Sequence, residues 1–303
     1  MKKTKKIIIF SIIILILILI IFLAIFFFKK RLDTITLIPD KTVIENGKYV
    51  YDTFEFYIEN EEKEKIFGKL YKPKRNEKMP IVIYSHGLGA TYRACTDYAE
   101  ILAEYGVASY CIDFRGGSDR SKSDGLTTDM SILTEVDDLK FVYKQILDWD
   151  FVDTNNVVLM GSSQGGAVSA IVSSELNDEL KGLVLLYPAL TMPDVFRERF
   201  EDLDSVAEEF KLTDKITVGK KYFSDVRDLY IMDMLSSDTK QILIIHGTED
   251  KLVSIDVSKR AIELYPNSKL YEIEGAGHGF EDDQFDKAME YILEYLKKIE
   301  IVE

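Results

Sequence analysis

Short apolar runs alternate with amphipathic segments along most of this chain, and this alternation limits the folds that it can adopt. Runs of strand length lie at residues 80–85, 107–112, 157–160, 182–187, 241–246 and 269–273. Segments with helical spacing of apolar residues separate them, at 92–105, 132–147, 167–175, 257–264 and 285–298. Strands that alternate with helices imply right-handed crossovers and a mostly parallel sheet. We therefore predict an α/β fold.

Two regions depart from this alternation. Residues 50–59 and 65–71 resemble the strands of an antiparallel hairpin around a charged turn at 60–64, which brings the predicted sheet to about eight strands with an antiparallel N-terminal edge. Residues 190–235 show no obvious strand, and their apolar side chains recur at helical spacing. We predict that this segment is a helical cap insertion over the sheet.

The N-terminus carries an apolar run at residues 7–28, interrupted only by Ser11. At about 1.5 Å per residue it extends roughly 33 Å, enough for a bilayer core of about 30 Å. A cleaved signal peptide is the alternative, but its apolar region is shorter and ends in small residues, whereas this run ends in three phenylalanines. We predict an uncleaved transmembrane anchor over 1–31, a juxtamembrane spacer over 32–48 and one domain over 49–303.

Charge divides the chain in the same place. The first 31 residues hold seven of the 38 Lys+Arg and no acid, so the remaining residues hold 31 basic against 52 acidic side chains, a net charge of -21 within a total of -14. This acidic body argues against nucleic acid as a partner, because phosphate binding needs a basic surface. Four lysines precede the run and three basic residues follow it, which favours a cytoplasmic N-terminus and an extracytoplasmic body at the cell membrane.

A candidate nucleophile follows the predicted strand 157–160 directly. The sequence from Gly161 to Gly165 fits the pattern G-x-S-x-G, with Ser163 at its centre and a helical segment after it. A serine on a tight strand-to-helix turn adopts strained backbone angles, which the small residues Gly161 and Gly165 permit. Ser163 is therefore predicted to expose its hydroxyl at the carboxyl end of a strand.

A serine hydroxyl needs a base to remove its proton, and the chain has only three histidines. His86 and His246 end predicted strands, whereas His278 lies in a glycine-rich loop near the C-terminus, from which it can reach the nucleophile. The base in turn needs an acid to hold its tautomer. Asp250 follows strand 241–246, and Glu249, Asp225 and Asp228 remain alternatives.

Donors for a developing oxyanion are expected beside the nucleophile. The amide of Gln164 is the first. The amide of Leu88 is the second, in a loop after strand 80–85 that contains Gly87 and is supported by His86. The order Ser163, Asp250, His278 is the nucleophile–acid–base order of α/β-hydrolases.

Residues from about 50 to 300 resemble the α/β-hydrolase superfamily, especially small serine hydrolases of the serine aminopeptidase, monoacylglycerol lipase and cinnamoyl/feruloyl esterase type. The matching stretches are 86–89, 113–117, 161–166, 246–250 and 275–279. The resemblance implies that Ser163, Asp250 and His278 form a catalytic triad and that Leu88 and Gln164 supply the oxyanion hole. One departure is the loop after Asp113, usually R-G-x-G-x-S, which here runs Arg115-Gly116-Gly117-Ser118-Asp119-Arg120.

These patterns predict a membrane-anchored serine hydrolase that cleaves a carboxylic ester or amide of a small or lipid-like acyl substrate. An aminopeptidase is the first alternative, and a catalytically silent, tethered binding module is the second. No His, Cys and Asp cluster has metal-ligand spacing, so neither a metal nor an organic cofactor is expected. We expect Cys95 and Cys111 to be free buried thiols, with a disulfide as the alternative in an oxidising compartment.

Overall fold

A sheet of eight strands forms the centre of the fold. The computed structural model describes residues 44–45, 48–200, 202–213, 216–235, 240–265 and 267–302. Eight strands of the described residues belong to this sheet, and the others form two separate pairs, β1 with β2 and β9 with β10. The strands are β1 (Ile44–Glu45), β2 (Lys48–Tyr49), β3 (Tyr51–Glu59), β4 (Lys65–Pro73), β5 (Met79–Ser85), β6 (Ala108–Asp113), β7 (Val152–Ser162), β8 (Gly182–Leu186), β9 (Glu209–Thr213), β10 (Ile216–Gly219), β11 (Ile242–Gly247) and β12 (Ser268–Ile273).

Helices connect most of these strands. They are α1 (Thr96–Glu104), α2 (Ile132–Leu147), α3 (Gln164–Leu176), α4 (Met192–Arg199), α5 (Lys221–Ser224), α6 (Ile231–Leu235), α7 (Ile255–Leu264) and α8 (Asp282–Lys298). Helix α2 begins with a capping box, because the Ser131 and Thr134 side chains each bond the other residue's backbone amide. Short 3₁₀ turns lie at Tyr92–Cys95, Asn177–Glu179 and Leu203–Ser205.

The sheet has the strand order β12-β11-β8-β7-β5-β6-β4-β3. Strands β5 to β8, β11 and β12 pair in parallel, whereas β4 pairs antiparallel with both β3 and β6. Every residue of β5, β6, β8 and β11 is buried, as expected for strands that are covered on both faces. The prediction of a mostly parallel eight-stranded sheet with an antiparallel N-terminal edge is therefore confirmed.

Helices cover both faces of the sheet. Leu102 of α1 and Ile292 of α8 share a core cluster with Val82 and Val158 of the sheet. The neighbouring Ile81 is also fully buried, and because successive strand residues point to opposite faces it lies in the core of the other side. There α2 and α3 pack together, and α3 packs on β5, β7 and β8.

The cap insertion is only partly helical. Residues 190–235 contain α4, α5 and α6, but β9 and β10 form an antiparallel hairpin between them, so the expectation of no strand was wrong. The reason is local: β9 alternates exposed and half-buried residues with a period of two, and Phe210 packs its ring against Phe200 and Phe223 across the insertion. The helical spacing of apolar residues continues past Phe200 in the sequence, but helix α4 ends at Arg199.

The two cysteines form a disulfide, which corrects the expectation of free thiols. Cys95 ends a 3₁₀ turn and Cys111 lies in β6, with 5.9 Å between their Cα atoms. Both side chains are buried, and burial alone does not distinguish a thiol from a disulfide. The pairing depends on the α1 connection folding back onto β6, which spacing in the sequence does not reveal.

The predicted membrane anchor lies in a part of the chain that the structure does not describe. The predicted anchor at 1–31 and nearly all of the predicted spacer at 32–48 lie outside the described residues. Within the described ranges, no helix has the length and apolarity needed to cross a bilayer.

Candidate active site

Ser163 occupies the turn between β7 and α3, with φ 51° and ψ −121°. A positive φ is uncommon for a residue with a side chain, so neighbouring bonds must hold this conformation. The Ser163 N–H donates to the Leu186 carbonyl at 3.0 Å, and its own carbonyl accepts from Gly166 and Ala189, each at 3.0 Å. These bonds fix the serine at the carboxyl ends of β7 and β8.

The two glycines of the G-x-S-x-G motif are required by close packing. A Cβ on Gly161 would lie 2.2 Å from the carbonyl oxygen of Gly165. A Cβ on Gly165 would lie 2.2 Å from the Ser85 oxygen and 2.4 Å from the His86 oxygen. Because all of these neighbours are backbone atoms, the turn admits no side chain at either position without moving β5 or α3.

His278 lies between Ser163 and Asp250. Its Nε2 is 2.8 Å from Ser163 Oγ, and its Nδ1 is 2.7 Å from Asp250 Oδ2. Since a carboxylate accepts only, Nδ1 carries the proton and Nε2 can accept the serine hydroxyl. The Asp250 side chain is fully buried, and the His278 side chain is 19% exposed. The rings of His278 and Tyr187 meet in a T-shaped arrangement, with 4.8 Å between their centroids.

Asp250 is held by several donors. Its Oδ1 accepts from the amides of Leu252 at 2.8 Å and Val253 at 3.0 Å. Burial raises the pKa of Asp250, but the bonds from Val253, His278 and Leu252 outweigh it, so that the pKa lies below its ordinary value. Of the four acids left open by the sequence, Asp250 is the one that meets His278 in the described part of the chain.

The alternative acid Asp225 faces elsewhere. Its Oδ2 accepts from the hydroxyl of Ser131 at 2.6 Å and pairs with Lys221 at 2.6 Å. Ser131 caps α2, so this contact ties the cap insertion to the α/β core. Asp225 therefore has a structural partner that accounts for its position.

The loop after β5 runs beside Ser163. A Cβ on Gly87 would lie 3.1 Å from Ser163 Cβ and 3.6 Å from its Oγ. Around Leu88 the loop is tied down, because Ala90 N–H donates to Gly87 and Gly89 N–H donates to Gly117, at 3.1 and 3.0 Å. Gln164 is the first residue of α3, where amides have no partner within the helix.

His86 supports this loop from below. The fully buried ring accepts from the Phe114 amide at Nε2, 3.1 Å away, and Nδ1 lies 2.9 Å from the Gly87 carbonyl. Because Nε2 accepts, the proton is on Nδ1, which donates to Gly87. Asp113 Oδ1 is 3.5 Å from the same Nε2, but a nitrogen that accepts an amide carries no proton for an ion pair.

Two buried groups near Gln164 could not be predicted from the sequence. The Gln164 side chain donates to Glu135 Oε2 at 2.9 Å and accepts from the hydroxyl of Tyr222, which comes from the cap. All three side chains are fully buried. Glu135 resembles any acid in the first turn of a helix, and Tyr222 lies in the insertion, so only the packing brings them together.

The side chains that could bind a metal ion were compared across the described residues. Across the described ranges, no group of three or more His, Cys, Asp or Glu side chains is arranged to hold a metal ion.

Comparison with known proteins agrees with this architecture. The family model described as serine aminopeptidase, S33, matches residues 76–221. A Mycoplasma genitalium protein that carries the name esterase/lipase 2 is 24% identical over 78% of this chain and 96% of its own length. A proline iminopeptidase of Saccharolobus solfataricus is 24% identical over 74% of this chain and 70% of its own.

A solved structure extends the likeness to three dimensions. Est1E from Butyrivibrio proteoclasticus, solved with ferulic acid bound, superposes with a TM-score of 0.73 and 26% identity over 80% of this chain and 98% of its own. The fold, the family match and these relatives establish that the chain is a serine hydrolase of the α/β-hydrolase superfamily.

Proposed function

We propose that this α/β hydrolase cleaves carboxylic esters through an acyl-enzyme formed on Ser163. The observation that carries the proposal is a pair of hydrogen bonds through one imidazole. His278 Nε2 lies 2.8 Å from Ser163 Oγ, and His278 Nδ1 lies 2.7 Å from Asp250 Oδ2. A serine hydroxyl becomes a nucleophile when a positioned base takes its proton. Asp250 keeps the imidazole in the tautomer that leaves Nε2 available.

The reaction has two halves. In the first, Ser163 Oγ attacks the ester carbonyl, His278 takes its proton and then returns it to the departing alcohol. In the second, water attacks the acyl-enzyme and His278 takes a proton from it. His278 then returns this proton to Ser163 Oγ as the bond to the acyl group breaks, which releases the acid and restores the serine. Each half passes through a tetrahedral oxyanion, for which we assign the amides of Leu88 and Gln164 as donors.

The position of Leu88 and Gln164 supports that assignment. Gln164 begins a helix whose N-terminal dipole favours negative charge. The loop that carries Leu88 is held beside Ser163 by Gly87 and supported by His86. Such donors are fixed before reaction, so they require no reorganisation when charge develops.

Ester substrates are favoured over peptides. An alcohol leaves more readily than an amine. The Mycoplasma relative carries an esterase/lipase name, and the ferulic acid bound in Est1E is a carboxylic acid, the class of compound that ester hydrolysis releases. The aminopeptidase alternative has its own support in the description of the matched family and in the iminopeptidase relative. The apolar and aromatic side chains of the cap favour an acyl or aromatic group in the substrate.

A fluorophosphonate probe tests the nucleophile. We expect the full chain in mild detergent to be labelled, and Ser163→Ala to abolish labelling. Ser162→Ala is the matched control, because Ser162 precedes the nucleophile as the last residue of β7. If folded wild-type protein is not labelled, the protein has no active serine nucleophile, and the alternative of a tethered binding module holds. If Ser163→Ala is still labelled, another serine is the nucleophile.

A substrate series then separates the classes. Initial rates would be compared for short-chain and long-chain acyl esters, hydroxycinnamoyl esters and aminoacyl anilides. We expect measurable kcat/KM for esters, and loss of it by several orders of magnitude in His278→Gln, as is usual for triad residues. Faster turnover of the anilides than of every ester would make the protein an aminopeptidase.

We further propose that the domain is tethered outside the cytoplasmic membrane by residues 1–31. The Cys95–Cys111 disulfide supports this side, because structural disulfides persist in oxidising compartments. Protease treatment of intact cells provides the test, with a cytoplasmic protein as the control for lysis. Removal of the domain from intact cells is expected, and protection until lysis would place it in the cytoplasm.

A further inference from the structure

A second histidine contacts the acid of the proposed triad. His246 lies in β11 and is fully buried. Its Nε2 is 3.2 Å from Asp250 Oδ2, the same oxygen that meets His278. We propose that His246 is a positioning residue, which holds the Asp250 carboxylate in the orientation that His278 needs. The inference rests on the proposed function of Ser163, Asp250 and His278.

The surroundings of His246 determine its tautomer. Nε2 faces two acceptors, the Val253 carbonyl at 3.0 Å and Asp250 Oδ2 at 3.2 Å, so this nitrogen carries the proton and donates. Nδ1 lies 2.7 Å from Ser258 Oγ, whose hydroxyl can donate to it. Burial lowers the pKa of His246, although Val253 and Asp250 oppose the effect, so the neutral ring fits this site.

The contact completes a ring of donors around one carboxylate. The amides of Leu252 and Val253 hold Oδ1, while His278 and His246 share Oδ2. Without the His246 N–H, Oδ2 would keep His278 as its donor and lose the bond that anchors it to the sheet. The carboxylate could then rotate, and the imidazole bonded to it would follow.

The effect of such a rotation is expected on kcat. A displacement of about 1 Å in a catalytic group can cost on the order of 10²-fold in rate. Substrate binding under the cap does not involve the fully buried His246, so KM should change little. A role limited to packing would instead lower stability without a selective loss of kcat.

Two amide substitutions form a matched pair. In His246→Gln, the side-chain nitrogen can occupy the place of Nε2 and still donate to Asp250. In His246→Asn, the shorter amide reaches only the level of Nδ1 and can meet Ser258 but not Asp250. We expect His246→Gln to stay within about threefold of wild-type kcat, and His246→Asn to lose on the order of 10²-fold, with a parallel loss in the rate of fluorophosphonate labelling.

An Asp250→Asn background tests whether the loss passes through the carboxylate. There the difference between His246→Gln and His246→Asn should disappear, because residues that act through one another are not additive. Persistence of the full difference in that background would overturn the proposal. Equal kcat for His246→Asn and wild type, with Asp250 unchanged in both, would also overturn it.

A measurement on the unmodified chain covers the case in which His246→Asn does not fold. Nitrogen-15 spectra of the full chain in detergent, assigned with His246→Gln, should show His246 as the neutral Nε2–H tautomer. A proton on Nδ1, or a cationic ring at neutral pH, would overturn the proposal. Folded wild type that is never labelled by fluorophosphonate would refute the proposed function itself, whereas labelled wild type with indistinguishable His246 variants would refute only the role of His246.

Discussion

Glu135 offers a quantitative test of the core next to Ser163. Its side chain is fully buried in the first turn of α2, and Oε2 accepts from Gln164 at 2.9 Å. Oε1 has no hydrogen-bond partner among the described residues. The substitution Glu135→Gln keeps the shape and one acceptor while it removes the titrating group. It therefore isolates the cost of ionising a carboxyl in this position.

The sign of the effect follows from the pKa. Burial raises the pKa of Glu135 from 4.5 to about 8, with the bond from Gln164 opposing and Asp138 adding to the rise. The folded chain therefore holds a proton that the unfolded chain releases near pH 4.5. Because the folded state binds more protons, stability falls as pH rises from 4.5 towards 8. At about 1.36 kcal/mol for each pH step, the total is on the order of 5 kcal/mol.

Urea unfolding at a series of pH values measures this cost. The full chain in mild detergent can be followed by the fluorescence of Trp149, its single tryptophan, which is buried. The free energy of unfolding of Glu135→Gln minus that of wild type should increase from pH 5 to pH 8 by several kcal/mol. Asp138, whose pKa burial raises to about 6 against its pairing with Arg115, titrates in both proteins and largely cancels.

A surface acid provides the control. Glu263 lies exposed in α7, so the difference between Glu263→Gln and wild type should not vary with pH in this range. An equally flat difference for Glu135→Gln would show that burial does not raise the pKa of Glu135 in the folded chain. A difference that falls with increasing pH would show that the buried carboxyl is ionised and stabilised by a partner.

Two further predictions concern the glycine beside Ser163 and the disulfide. Gly87→Ala would place a methyl group 3.1 Å from Ser163 Cβ, so kcat/KM of the ester reaction should fall on the order of tenfold. Gly277→Ala enters open space and should not change kcat/KM, and equal activity of the two variants would refute the close approach of Gly87 to Ser163. Replacing Cys95 and Cys111 together by alanine should lower the free energy of unfolding by about 3 kcal/mol, as expected for a loop of this length, and an unchanged urea midpoint would contradict the disulfide.

Local patterns were sufficient to identify the fold. The apolar runs of β5 and β11 and the helical spacing of α2 depend on which residues face a core, and that periodicity is a property of consecutive residues. The turn at Ser163 is also local, because its strand, the serine and its helix are adjacent in the chain. The hairpin of β9 and β10 was missed because its alternation spans only a few residues within an insertion rich in helical spacing.

The sequence by itself determined the α/β class, the parallel sheet and the candidate residues Ser163, Asp250 and His278. The tertiary structure decided which acid meets His278, that Cys95 and Cys111 pair, and that His246 shares the carboxylate of Asp250. The division has a physical reason. Periodicity and turn chemistry act between neighbours in the chain, whereas these contacts join segments whose distance depends on how the strands are ordered in the sheet and how the loops return to it.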